Sequence, residues 1–311
     1  MTPASNPFAA ITPHRILVTG ATGFIGSALV PLLLAAGHSV TAWVRDPQRA
    51  SAHFNGRVTC IGSLGALDGN QPPQVVINQA GAPIASQLWT AARKAVLLQS
   101  RVGTTGQLAR WFAESGTRPE VWIQASAIGF YGVRPPEEAL DESSTIGVGF
   151  MAELCQQWEE SARAGLPQGT RLVTLRLGVV LGQGGALPLL LRPIRLGVGG
   201  RLGSGRQILS WIHLEDVLRL MAEAMGKASM QGTYNAVAPG AVAQAQFVRT
   251  AGRLLHRPVW LPIPQAPVRW LAGEMAELFV DGQWVVPRRL FDAGFTFSYP
   301  GLEMALRNLT S

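Results

Sequence analysis

Ile16-Leu17-Val18-Thr19-Gly20-Ala21-Thr22-Gly23-Phe24-Ile25-Gly26 is the stretch that sets the fold. An apolar run ends in three evenly spaced glycines, and an amphipathic helix pattern follows from Phe24 to Ala36. Strand, glycine turn, helix is the context that a dinucleotide-binding fingerprint requires. Gly20 permits a tight turn, Gly23 lets the backbone approach a pyrophosphate, and Gly26 lets the helix pack close to the strand. The N–H groups of the helix start, around Thr22, Phe24 and Ile25, then face the phosphates. A βα turn with no ligand would share the glycines. The order of elements around them points instead to a bound nicotinamide dinucleotide.

The chain has 311 residues, of which 47% are hydrophobic and 14% charged. That supports a sizeable core in one large α/β domain, or in a large domain and a small one. No apolar run approaches the roughly 18 residues of a membrane-spanning helix, and no membrane partner is expected. Residues 1–14 read as a flexible tail without the features of a secretory signal. Two distant cysteines, Cys60 and Cys155, form no disulfide framework and suit a reducing cytoplasm. The five histidines are scattered and imply no metal site. The net charge of +7 comes without a run of arginines interleaved with aromatics, so no nucleic-acid partner is expected. Arginines gather between Arg192 and Arg206 in a glycine-rich stretch, which reads as a small-anion site or as a solvated basic loop.

Strands are predicted at Ile16–Thr19, Ser39–Val44, Val58–Ile61, Val75–Asn78, Val121–Ser126 and Leu172–Leu177. Helical patterns lie between most of them, including a long one from Trp89 to Glu114 and another over Phe150–Ala164. Alternating strands and helices predict an α/β fold with a doubly wound parallel (Rossmann) sheet. A strand-like start and a helix follow at Ser210–Met225, and prolines punctuate the chain beyond Gly232. The expected division is a nucleotide-binding domain over residues 15–181, rejoined by 211–231. Residues 182–210 and 232–311 would form a smaller C-terminal α+β domain over the carboxyl ends of the strands, where ligand crevices lie.

The end of the second strand separates NAD from NADP: an acid there binds the ribose 2′-hydroxyl, whereas an arginine accommodates a 2′-phosphate. Here it reads Ala42-Trp43-Val44-Arg45-Asp46, so Arg45 points to NADP(H) over NAD(H). Asp46 caps or turns the loop before Pro47. The fourth strand ends Asn78-Gln79-Ala80-Gly81-Ala82, and the small residues Ala80, Gly81 and Ala82 let the backbone lie against a cofactor ribose.

These motifs, with SAIGFYG (126–132), LRLGVVLG (175–182), GVGGRLGSGRQ (197–207) and WIHLEDV (211–217), resemble the extended short-chain dehydrogenases/reductases. The similarity is to the atypical epimerase/dehydratase-like branch that carries a C-terminal domain of unknown function. It covers nearly the whole chain. It implies that Ser126 fills the active-site serine position, followed in active members by a tyrosine acid/base and a lysine one helical turn later. The family spacing places Met151 and Cys155 there, or Phe150 and Leu154 one register earlier. Neither register supplies the pair, because methionine carries no proton and a neutral thiol no fixed charge. Glu159 matches the glutamate that often follows the lysine.

Tyr131 resembles the Tyr-Gly pair after the fifth strand, as an aromatic wall or a surrogate acid. Cys155 reads as core more readily than as a reactive thiol. Arg101 sits where the family has a polar or basic residue near the cofactor cleft, or is a plain surface arginine. Beside Arg176, the backbone of Leu177 and Gly178 would line the nicotinamide side. Arg201, Arg206 and Gln207 resemble the segment over nucleotide-sugar phosphates. His213 reads as a loop-positioning histidine, with a base or substrate contact as the other reading, and Asp216 as a helix buttress.

Two functions follow from the resemblance. One is an NADP(H)-dependent oxidoreductase or epimerase transferring hydride to and from a carbonyl or nucleotide-sugar substrate, with Tyr131 or water as proton source. The other is a non-catalytic NADP(H)-binding sensor linked to cell division, with the C-terminal domain as its protein-partner or homodimer surface.

Overall fold

A computed structural model describes residues 6–310. Seven parallel strands form one sheet: β1 (Arg15–Thr19), β2 (Ser39–Trp43), β3 (Thr59–Ile61), β4 (Val75–Asn78), β5 (Val121–Ala127), β6 (Arg171–Leu177) and β7 (Gly232–Ala236). Their order is β3-β2-β1-β4-β5-β6-β7. The strands are apolar on both faces because both faces are covered. Ile16, Val18, Val75, Ile77, Ile123 and Leu175 pack under helices α1 (Phe24–Ala35) and α7 (Leu214–Gly226). Their alternates Leu17, Val76, Trp122 and Leu172 pack under α4 (Thr104–Ser115) and α5 (Phe150–Ala164). The doubly wound sheet expected from sequence is therefore present.

Three details differ from the sequence prediction. β7 belongs to the main sheet, paired with β6, although residues beyond Gly232 were expected in the smaller domain. Gly-Thr-Tyr-Asn-Ala has no apolar run, and only its pairing with β6 makes it a strand. The helical stretch from Trp89 begins at Ala91 and runs without a gap through α3 (Ala91–Leu98), a π-helical turn (Gln99–Gly103) and α4. Within the segment expected to be a tail, Phe8 is fully buried in the main core and Asn6 Nδ2 donates to Leu32 O at 2.8 Å. Residues 1–5 of that tail lie outside the described residues.

A second apolar cluster joins α6 (Leu187–Arg195), α8 (Gln244–Leu254) and the C-terminal helix (Leu302–Thr310) around Trp211. Its segments reach over the carboxyl ends of β5 and β6. Gln283 Nε2 donates to Gly132 O at 2.7 Å, and Ser210 Oγ donates to Gln283 O at the same distance. Among the described residues no helix is long and apolar enough to cross a membrane.

Candidate functional site

Strand order reverses between β1 and β4, and an open sheet has its crevice at such a switch point. Gly20 leaves β1 at φ +68°, and a Cβ there would lie 2.8 Å from Gln79 O. A Cβ at Gly26 would stand 2.5 Å from Ala21 O and closer still to Gly20 O. Gly23 faces no side chain within 4 Å and precedes α1 without a capping side chain. The first-turn N–H groups, which have no intrahelical partner, therefore point into the crevice beside the exposed Thr22 and Gly23.

The β4 end is held by a buried polar network that sequence reasoning missed. Thr19 Oγ1 donates to Asn78 Oδ1 at 2.6 Å and accepts from the N–H groups of Gln79 and Ala80. Asn78 Nδ2 donates to Thr105 Oγ1 and Gln124 Oε1. The available signal was a polar residue closing the apolar strands β1 and β4, at Thr19 and Asn78, and another interrupting β5 at Gln124. The network presents Ala80, Gly81 and Ala82 beside the glycine turn.

Arg101 rises from the π-turn and lays its guanidinium flat against Gly81, where a Cβ would be 2.8 Å from Cζ. It donates to Leu97 O and Ala82 O and lies 5.2 Å from the Trp158 ring. Burial lowers its pKa. It is thus a half-buried cation in the wall of the crevice, not a surface helix residue. Arg45 is exposed at the end of β2, while Asp46 caps the next helix by accepting from Arg49 N at 3.0 Å.

The β5 side is closed around an internal ion pair. Arg176 Nε and Nη2 donate to the two oxygens of Glu159 at 2.8 and 2.9 Å, and both residues are buried. Burial alone would lower the Arg176 pKa, but the Glu159 carboxylate outweighs it and the net shift is upward. Ser126 Oγ donates to Glu159 Oε1 at 2.7 Å. Tyr131 donates to Asn235 Oδ1 at 2.7 Å and accepts from Arg176 Nη1 at 3.0 Å. Its ring is completely buried, and burial raises its pKa. Tyr131 is therefore an interior strut, and the expectation of a surrogate acid at the crevice does not match this placement.

Met151 and Cys155 face the loop after β5. A Cβ at Gly129 would lie 3.0 Å from Met151 Cε and 3.7 Å from Cys155 Sγ. Phe150 turns toward Trp89, with ring centroids 5.2 Å apart. Met151 and Cys155 thus share the face of α5 that meets this loop, and Phe150 does not. Burial, reinforced by Glu159, pushes the Cys155 thiol up to about 12.

Three of the expected substrate residues, Arg201, Arg206 and Gln207, lie on one loop that folds back on itself, with Gly205 N donating to Leu202 O at 3.0 Å. Arg206 pairs with Glu137 at 2.7 Å, and Gln207 Nε2 donates to Leu202 O and Phe279 O. Arg201 is exposed. His213 is buried: its Nδ1 accepts from Glu215 N at 3.1 Å as the cap of α7, and its ring stacks on Tyr299 at 3.8 Å. The loop-positioning role fits and the substrate contact does not. Asp216 accepts from the N–H groups of Ser298 and Tyr299, tying the C-terminal segment to α7. Gly178, after Leu177, has no room for a side chain: a Cβ would stand 2.7 Å from Ser210 O. The Phe24 ring packs against Gly182, Gly184 and Gly185, none of which has room for a side chain beside it.

A doubly wound parallel sheet with a glycine turn at its switch point defines a nucleotide-binding fold of the short-chain dehydrogenase/reductase class. Residues 16–236 match the model of the NAD dependent epimerase/dehydratase family, and residues 263–309 match a domain of unknown function, DUF1731. The chain belongs to the NAD dependent epimerase/dehydratase family. It is 36% identical over 297 residues to the epimerase family protein YfhF of Bacillus subtilis, covering 95% of this chain and 97% of that one. The crystal structure of human epimerase family protein SDR39U1 with NADPH is 34% identical, with a TM-score of 0.85 over 95% of this chain and 98% of that one. A nucleoside-diphosphate sugar epimerase from Corynebacterium glutamicum is 28% identical, with a TM-score of 0.75 over 96% of this chain and 58% of that one.

Proposed function

We propose that this protein binds NADP(H) in the crevice between β1 and β4. The observation that carries the reading is the glycine cradle, where side chains at Gly20 or Gly26 would collide with backbone and a Cβ at Gly23 would crowd Gly20 O at 3.1 Å. The N–H groups of that turn hold the pyrophosphate. Ala80, Gly81 and Ala82 lie along a ribose, Arg45 takes the 2′-phosphate, and Arg101 adds positive charge on the wall next to Cys155, which stands in the family's lysine position. The NADPH in human SDR39U1 supports this choice of cofactor. The two unpaired cysteines agree with a reducing cytoplasm.

When bound, the nicotinamide supplies hydride chemistry on a carbonyl or carbinol carbon. A nucleotide sugar is the substrate class that the Corynebacterium relative's name supports. This chain's residues position rather than shuttle protons. Ser126 is engaged with Glu159, the Cys155 thiol stays protonated, and Met151 has no proton to give. The same three facts favour the second reading, a cofactor-binding sensor without turnover.

Titration with NADPH and NADH, followed by nicotinamide fluorescence, tests the cofactor. Arg45→Asp should weaken NADPH binding roughly ten- to hundredfold, the scale of a hydrogen-bonded charge contact, and leave NADH nearly unchanged. Equal losses for both cofactors would remove the argument. Nicotinamide absorbance with UDP- and GDP-sugars separates the two functions: turnover lost in Ser126→Ala supports the enzyme, and tight binding without turnover supports the sensor.

A further inference from the structure

We propose that the face built by α6, α8 and the segments that follow them is a peripheral docking surface for an anionic lipid bilayer. Charge is distributed unevenly along the chain. No Asp or Glu lies between Glu160 and Glu215, nor between Glu223 and Glu274, so all 19 acidic residues fall outside these two tracts.

The fold brings the two tracts side by side. Leu191 and Ile194 of α6 pack with Phe247 and Val248 of α8. Arg192 and Arg195 on α6 and Arg249 on α8 are left exposed, as is Arg257 beyond α8. Residues 200–203 run beside 261–263: Ile263 N donates to Arg201 O at 2.8 Å, Gly203 N donates back to Ile263 O, and Gly200 has no room for a side chain against Leu261 O. Among the described residues, Arg192, Arg195, Arg201, Arg249 and Arg257 form no ion pair, whereas Arg206 and Arg253 are paired with Glu137 and Glu303.

Large apolar side chains stand out of this basic surface. Trp260 is 77% exposed, Leu196 68% and Val198 52%, with Leu261 beside them. A bilayer interface accepts both components, because tryptophan and aliphatic side chains enter the acyl boundary while arginines reach lipid phosphates. A nucleic acid would satisfy the arginines and stack on Trp260, but it offers nothing to Leu196, Val198 and Leu261. None of the residues assigned above to the cofactor belongs to this surface, so the proposal does not depend on the cofactor reading.

Flotation of the full chain with vesicles tests the proposal. The protein should float with equal parts phosphatidylcholine and phosphatidylglycerol, remain behind with phosphatidylcholine alone, and be released at about 1 M salt, where the screening length is about 3 Å. Arg195→Gln and Arg257→Gln should each lower the partition coefficient about fivefold. Trp260→Ser should lower it in a salt-independent way. All three side chains are exposed, so unchanged thermal melts and NADPH binding will show that the variants fold. Brominated lipid should quench the wild-type fluorescence and quench Trp260→Ser less. Equal flotation with neutral vesicles, no flotation with either, or binding to a single-stranded oligonucleotide that outcompetes the anionic vesicles would overturn it.

Discussion

Gly26 shows how little latitude one position has. Its Cα lies so close to the Gly20 and Ala21 carbonyls that a methyl group must move helix α1 away from β1. Backbone cannot yield as a flexible side chain would. Gly26→Ala should therefore cost about 1–3 kcal/mol in urea unfolding and abolish NADPH binding. Cys155 shows a residue whose chemistry is set by its surroundings. With its pKa pushed to about 12, roughly one thiol in ten thousand ionises at pH 8. A thiol-disulfide reagent at that pH should leave Cys155 unmodified in the native protein and modify both cysteines in denaturant. Rapid native labelling of Cys155 would contradict the burial. The glycine spacing was readable in sequence because it constrains the local backbone. The inertness of Cys155 was only half readable, since it depends on β5 and α5 closing around it.

At the scale of an element, α7 begins on a histidine. His213 accepts from the Glu215 N–H and is buried against Tyr299, and burial lowers its pKa. The unfolded chain therefore binds a proton at a higher pH than the folded one, so this contribution to stability is present above the ordinary histidine pKa of about 6.5 and declines as pH falls below it. Buried His38 titrates in the same direction, from burial and from neighbouring His14. Thermal melts should lose stability from pH 7.5 to 5.5, with each histidine contributing at most about 1.4 kcal/mol per pH unit. His213→Asn, which retains a capping oxygen, should flatten that slope, and an unchanged slope would exclude His213 as its source. The helix at Phe150–Ala164 was legible from its period and matches the observed bounds. The π-turn at Gln99–Gly103 was not, because no local residue demands it. It carries Arg101 to the crevice, which shows why a residue number alone could not place that charge.

Across the whole molecule, the Glu159–Arg176 pair connects α5 to β6 and, through Tyr131 and Asn235, reaches β7. Glu159→Gln leaves Arg176 buried without its counter-charge and should destabilise the protein by about 3–5 kcal/mol, measured by chemical denaturation. Replacement of the exposed Glu160 should have almost no effect. The doubly wound sheet and its glycine turn were contained in the order of amino acids, because strand period, helix period and turn glycines act over a few neighbouring residues, whereas the switch point emerged only from the pairing of distant strands. The capture of Phe8 by the core, the addition of β7 and the locking of Ser126 and Tyr131 into an internal network were decided only by tertiary contacts. Each brings together side chains far apart along the chain, and their protonation and exposure depend on what then packs around them.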